Sequence, residues 1–408
     1  MTYDYLIIGG GITGVTAAET IREQDSHARI AIVSEEPHLI YSRVLLPSYV
    51  KKRIPRDKVF LRNAEDFTKN RIDLHLQEKI TRIDTAYREI FLQNGSTLGY
   101  EKLLIATGGK PHTWGKPEDA DLVYQLQTID DAERLLQMLD AVKQPIVVGD
   151  SFIGLEFLEI LVLNGIAPAL IVRGDHFFSH FVDPTGGKLI DDQFRHKGIT
   201  PYYNDVIAAI SAEGGLHIAE TRTLKKIPFD IICVGVGIER SVDLVQGTEI
   251  KVGKRGILVN EFLETNVPGI FAGGDVAEYY NGISGTYRIE GNWTNAVLQG
   301  KRAGLNMTGV REPFRAVGSY SITSLGFHFT AIGDCSAHEN TIVRIDPLHK
   351  RYERLFLREG ILMGAFLINQ FQDKPHIAQL IERQTNMAPW REQLKDLAFD
   401  IHTIPVVG

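Results

Sequence analysis

The residues with the most telling spacing are glycines. Gly9-x-Gly11-x-x-Gly14 follows an apolar run, residues 3–8, and opens a stretch of helical periodicity through Val15, Ala18 and Ile21. In such a motif one glycine makes the tight turn, the next lets backbone approach a pyrophosphate, and the third lets helix and strand pack closely, with the helix N-terminus facing the phosphates. Glu35 stands 21 residues beyond Gly14, just after the apolar run 30–33, where a carboxylate can accept hydrogen bonds from ribose hydroxyls. The plan recurs in residues 145–148, then Gly149-Asp150-Ser151-Phe152-Ile153-Gly154, a helical stretch over 155–163 and an apolar run over 169–172. In this copy Ser151 replaces the middle glycine, and Arg173 rather than an acid stands 19 residues after Gly154. Serine adds bulk where backbone should approach a phosphate, although its hydroxyl can also donate to one. Arginine suits a 2′-phosphate, which keeps NADPH open beside NADH. Two strand-turn-helix-strand units imply two dinucleotide folds in one chain.

Other elements must hold these turns in place. Residues 89–92, a turn at Asn94-Gly95 and the run 102–109 predict a hairpin leading into a buried strand that ends at glycines. Residues 230–237 and 269–275 repeat that strand-into-glycine pattern. From about Val317 onward, short strand-like runs at 342–345, 355–357 and 364–368 precede a helical segment around 376–397, which predicts a separate α+β domain.

Bulk properties narrow the function classes. At 408 residues the chain has room for two or three domains, and 44% hydrophobic with 23% charged residues is ordinary for packed globular proteins. A net charge of -7 argues against nucleic acid or an anionic membrane as the main partner. Cys233 and Cys335 are the only cysteines, too few for a disulfide framework or a thiolate zinc site, so a reducing cytoplasm is expected. The apolar N-terminal run has Asp4 and no basic residue before it, and glycines follow, so it does not read as a targeting segment. No membrane span is expected.

The two glycine motifs, Ala106-Thr107-Gly108, Gly235-x-Gly237 and Ile270-Phe271-Ala272-Gly273-Gly274-Asp275, in that order, resemble the FAD-dependent pyridine nucleotide-disulfide oxidoreductase superfamily over roughly residues 1–309. The resemblance implies an α/β fold with two Rossmann-like dinucleotide-binding domains. An FAD domain would comprise 1–111 and 241–316, an inserted NAD(P)H domain 112–240, and a C-terminal α+β domain 317–408. It assigns to FAD Gly9, Gly11, Ile12, Thr13, Gly14, Glu35, Glu36, Arg43, Ser48, Ile80, Ala106, Thr107, Gly108, Gly274, Trp293 and Asp275, the last holding the ribityl chain. To the nicotinamide nucleotide it assigns Gly149, Ser151, Ile153, Gly154, Glu156, Arg173, Gly235 and Gly237.

Disulfide reductases of that superfamily carry a Cys-x4-Cys pair shortly after the first ribose acid, whereas residues 37–47 contain no cysteine. Thiol-dependent reactions therefore fail for want of a thiolate. Glu36-Pro37-x-x-x-Tyr41-x-Arg43 instead resembles rubredoxin and ferredoxin reductases, apoptosis-inducing-factor-like proteins and the FAD region of assimilatory nitrite reductase. Many such relatives place a lysine near the flavin five residues after the arginine, where this chain has Ser48. Trp293, in Gly291-Asn292-Trp293-x-x-Ala296-Val297, either lies against the flavin or is a core tryptophan. Glu156 either sits near the nicotinamide or is an ordinary helix carboxylate. The flavin carries the hydride chemistry, so no catalytic side chain is required.

The expected function is an FAD-dependent NAD(P)H oxidoreductase that passes electrons to a carrier such as rubredoxin or ferredoxin, or to a redox partner subunit. Direct oxidation by oxygen or a small acceptor, and a redox-sensing scaffold, stand as alternatives. The basic run Lys51-Lys52-Arg53-x-x-Arg56-x-Lys58 is either a solvated face or a surface that steers an acidic carrier. His176 and His180 have H-x-x-x-H spacing without the neighbouring glutamate of a zinc site, and no metal is expected. Monomer and homodimer both remain open.

Overall fold

Parallel strands covered on both faces read as unbroken apolar runs, and the runs that flank each glycine motif are of this kind. The structure, a computed structural model, describes residues 1–336 and 340–406. The chain divides into two units. The first comprises residues 1–44, 55–110 and 238–318, and the second 45–54, 111–237 and 319–408.

In the first unit, β1 (Thr2–Ile8), α1 (Ile12–Gln24) and β2 (Ile30–Val33) form the expected strand-turn-helix-strand. β1 and β2 pair in parallel with Leu6 opposite Ala31 and Ile8 opposite Val33, and every residue of β2 is buried. The sheet continues from β2 to strand Ile72–His75, and from β1 to strand Thr97–Ile105, which also pairs with Ile270–Ala272. The hairpin expected at Asn94-Gly95 is present, with Gly95 at φ +87° and strand Glu89–Leu92 antiparallel to Thr97–Ile105. All the strands that carry glycine turns therefore end at the same edge, where ligands of α/β sheets bind.

In the second unit, β3 (Pro145–Val148), α2 (Phe152–Leu163) and β4 (Ala169–Ile171) repeat the arrangement. Their parallel sheet runs 200–202, β4, β3, 231–234, 123–124. The C-terminal residues build a five-stranded antiparallel sheet, ordered 319–324, 327–333, 361–368, 351–358, 340–346. Phe178 and Phe181 pack against Phe366 of this sheet, with ring centroids 5.7 and 4.8 Å apart, so the Phe177-Phe178 loop is a packing element. The helix expected around 376–397 is shorter, spanning Lys374–Glu382. Gln384 takes a left-handed backbone at φ +52° and Pro389 follows, so the remainder forms isolated 3-10 turns. Among the described residues, no helix is long and apolar enough to cross a membrane.

Candidate functional site

The first glycine turn is shaped by contacts that leave no room for side chains at its two ends. Gly9 has φ +114°, and a Cβ there would lie 2.3 Å from the Ala106 carbonyl oxygen. At Gly14 a Cβ would lie 2.1 Å from the Gly9 carbonyl oxygen, whereas at Gly11 it would meet nothing within 4 Å. Closed ends and an open middle are what backbone approach to a pyrophosphate requires. Thr13 is tied to a third helix, α3 (Trp293–Met307), through a hydroxyl that donates to the Ala296 carbonyl at 3.0 Å. Ile12 follows Gly11 at the start of α1.

Beyond β2, Glu35 is exposed and lies 3.7 Å from the Lys79 ammonium. Glu36 accepts a 2.6 Å hydrogen bond from the Tyr41 hydroxyl and pairs with the Arg43 guanidinium. The Glu-Pro-x-x-x-Tyr-x-Arg pattern is thus a self-supporting arm whose glutamate orients the arginine. Thr107 donates to the Ser241 carbonyl at 2.8 Å, which fixes the Ala106-Thr107-Gly108 turn to the strand returning at 238–240. Ile80 lies buried in the core of this unit at the start of strand Ile80–Asp84.

Asp275 sits just past the buried strand Ile270–Ala272. Burial pushes its carboxyl up, while the Arg240 and Arg43 guanidiniums pull it down. Arg240 also donates to the Asp275 backbone carbonyl at 3.1 Å, so it is a structural partner of this loop that the sequence reading missed. Its only signal was position, three residues after Gly237. Gly291, two residues before Trp293, faces the same cluster, since a Cβ there would lie 3.8 Å from an Asp275 carboxylate oxygen. Trp293 is half-buried at the first turn of α3, capped by the Asn292 side chain. Gln299 accepts from the Gly274 amide at 2.7 Å, yet its Nε2 and the Asn295 Oδ1 are buried without partners among the described residues. A polar lining with unused donors and acceptors beside Asp275 fits a hydroxyl-rich group such as the ribityl chain of FAD.

The second turn has the same backbone signature. Gly149 has φ +111° with a Cβ position 2.4 Å from the Gly235 carbonyl oxygen, and a Cβ on Gly154 would lie 2.8 Å from the Gly149 carbonyl oxygen. Ser151 caps α2: its hydroxyl accepts from the Gly154 amide at 3.1 Å and donates to the Gly235 carbonyl at 2.6 Å. Its one donor is therefore engaged within the turn instead of being aimed at a phosphate. Ile153 is exposed beside it, and Gly237, at φ +94°, accepts from the His112 amide. Arg173 is exposed and makes no hydrogen bond or ion pair among the described residues.

The basic run is not a uniform solvated face. Lys51 is buried, with only 2% of its side chain exposed, and its ammonium pairs with both Glu156 and Glu159 of α2. Arg53 adds a half-exposed contact to Glu159 at 3.3 Å. Burial pushes the Glu156 carboxyl up, with Lys51 opposing and Glu159 reinforcing, and the charge of Glu156 helps burial hold the Tyr320 phenol up at about 12. Ser48 lies one turn before Lys51 on the short helix Leu46–Val50, so within the second unit the lysine meeting the glutamate comes from the next turn. The spacing Glu156-x-x-Glu159 on one helix face was the available signal for this cluster.

Residues 3–300 match the pyridine nucleotide-disulphide oxidoreductase family, and residues 321–385 match the rubredoxin NAD+ reductase C-terminal domain. The chain is 27% identical to the epsilon subunit of NADH-dependent phenylglyoxylate dehydrogenase of Aromatoleum evansii, over 95% of this chain and 94% of that one. It is 28% identical to the ferredoxin--NAD(+) reductase component of the p-cumate 2,3-dioxygenase system of Pseudomonas putida, over 95% of each. Among solved structures, a ferredoxin reductase from Rhodopseudomonas palustris superposes with a TM-score of 0.90 at 24% identity, covering 98% of this chain and 99% of that one.

Proposed function

The chain belongs to the pyridine nucleotide-disulphide oxidoreductase family, and on that premise we propose that it is an FAD-dependent NADH oxidoreductase that delivers electrons to a carrier protein or partner subunit in the cytoplasm. Bound FAD would supply the chemistry, taking two electrons from the nicotinamide and releasing them onward. The chain's own residues supply binding and order. Gly9, Gly11 and Gly14 with the start of α1 receive the diphosphate, Glu35 the ribose, and Arg43 and Asp275 the flavin-bearing half, with Thr107 and Arg240 locking the loops that carry them. In the second unit Gly149, Gly154 and the N-terminus of α2 receive the nicotinamide nucleotide. Lys51 keeps Glu156 and Glu159 in place and neutralises one of the two buried carboxylates.

The observation that carries this reading is the repetition in both units of a strand-turn-helix whose two end glycines are closed against backbone carbonyls, together with the route left for electrons. Cys233 is fully buried in strand Ile231–Val234 and burial raises its thiol, while Cys335 is far away in sequence, so no dithiol follows the flavin site. The electrons therefore leave to an acceptor outside this chain, in keeping with relatives named as reductases of ferredoxin. The test is steady-state NADH oxidation with rubredoxin or a [2Fe–2S] ferredoxin present, against oxygen consumption without them. Carrier reduction well above the oxygen rate is expected. Oxygen consumption that accounts for all NADH oxidised, with no carrier reduced, would reject the carrier reading in favour of an oxidase.

A further inference from the structure

Residues 393–404 lie beyond 321–385, the part of the chain that matches the rubredoxin NAD+ reductase C-terminal domain. They form isolated 3-10 turns, Gln393–Lys395 and Ile401–Thr403, and bury Leu394, Ile401 and Ile404. The five strands of the neighbouring antiparallel sheet all end by Ile368, so the segment can lift without breaking a strand pair. Two polar anchors hold it down. The Arg344 guanidinium donates to the Leu397 carbonyl at 3.1 Å and to the Phe399 carbonyl at 2.6 Å. At the other end the His402 ring lies 3.1 Å from the Asp373 carboxylate. His376, its ring centroid 4.9 Å from that of His402, donates to the Ile404 carbonyl at 3.1 Å.

These anchors are the two ends of one buried polar chain. Arg344 Nη1 lies 3.2 Å from Glu353 Oε2 without the alignment of a hydrogen bond. Gln370 donates to Glu353 and to Asp373, at 3.4 Å in each case, and all four residues are buried. With one proton held between Glu353 and Asp373, the charges of Arg344 and the two carboxyls cancel. Without it a net negative charge is left in a buried place, at a cost that falls on the groups gripping the tail. We propose that residues 393–404 are a latch, closed by the proton that Glu353 and Asp373 hold between them and released when that proton leaves. Burial and a hydrogen bond shared with Asp373 hold the Glu353 carboxyl well above the usual carboxylate range while the latch is closed. Lifting the tail lets water reach Glu353, and once ionised it competes with the tail carbonyls for the Arg344 guanidinium. The other charged groups around this chain are engaged elsewhere. Lys374 lies over the Phe371 ring at 5.5 Å, Arg391 reaches Asn340 at 3.5 Å, and Lys395 pairs with Glu392 at 2.8 Å. Asp396 and Asp400 accept from amides of their own turns, Glu382 and Arg383 are exposed, and Arg354 acts on Asp183 and Tyr352.

The test is hydrogen exchange of the purified full chain, read by mass spectrometry at about pH 5.5 and about pH 7.5 and corrected for intrinsic amide rates. A carboxyl raised in the closed state and ordinary in the open one stabilises closure fully on the acid side. That contribution is lost by up to about tenfold in the opening equilibrium per pH unit as the pH rises towards the closed-state value. Protection of peptides covering 393–404 should therefore fall by roughly 30- to 100-fold across the interval, while peptides from strands Arg351–Arg358 and Ile361–Ile368 stay more strongly protected. Glu353→Gln should remove most of that pH dependence. His402→Ala, which leaves Glu353 in place, should lower protection of the segment at both pH values. Equal protection at the two pH values, or a segment that opens only together with the strands, would overturn the latch. A pH dependence that Glu353→Gln leaves intact would overturn the role of the shared proton.

Discussion

Buried charge makes the sharpest predictions at the residue scale. Lys51 offsets two carboxylates inside the second unit, and removing a buried cation strands its partners. Lys51→Met should therefore lower unfolding stability by about 3–5 kcal/mol, read by chemical denaturation. A loss no larger than that of an exposed lysine would show that the cluster is solvated. In the C-terminal sheet, Glu353 is fully buried beside Arg344, with Gln370 donating to it at 3.4 Å. Burial, then the neighbouring Asp373 carboxyl, push Glu353 from 4.5 to about 8, against the pull of Arg344. A carboxyl raised in this way holds its proton in the folded chain where the unfolded chain has released it. Its stabilising contribution is full below about 4.5 and is lost as the pH rises through about 8. Glu353→Gln, which never titrates, should flatten that decline in denaturation experiments across the same window, and an unchanged slope would contradict the assignment.

Among the elements, the two glycine turns should fail independently. Gly9→Ala forces a side chain into a left-handed backbone against the Ala106 carbonyl, and Gly149→Ala does the same against Gly235. Backbone strain of this kind costs roughly 1–3 kcal/mol before the clash is counted. Gly9→Ala should purify without the visible flavin bands, whereas Gly149→Ala should keep them and raise the KM for NADH at least about tenfold. Loss of flavin from both variants would mean that the two turns do not serve separate ligands. These turns were legible in the sequence because glycine spacing, apolar runs and the first ribose acid are all local. Ser151 was legible as a departure, but its role was not. Its hydroxyl bonds a carbonyl 84 residues away, and no local pattern announces that.

On the scale of the whole molecule, the sequence order of motifs foretold the two dinucleotide folds and a further α+β region. It did not foretell which distant segments pack as one unit. Residues 45–54 belong with the second unit, although they lie in sequence between parts of the first, because Lys51 is drawn in by charges more than 100 residues later. The helix expected at 376–397 stopped early for a reason that was partly visible in Pro389, yet the left-handed Gln384 had no signal. The central claim is that both units are loaded and work together, and an anaerobic titration of the purified protein with NADH, followed at the flavin absorbance bands, tests it most directly. Bleaching complete at about one equivalent is the predicted result, since the flavin accepts one electron pair per nicotinamide. Absent flavin bands, or bands that NADH leaves unchanged, would contradict it.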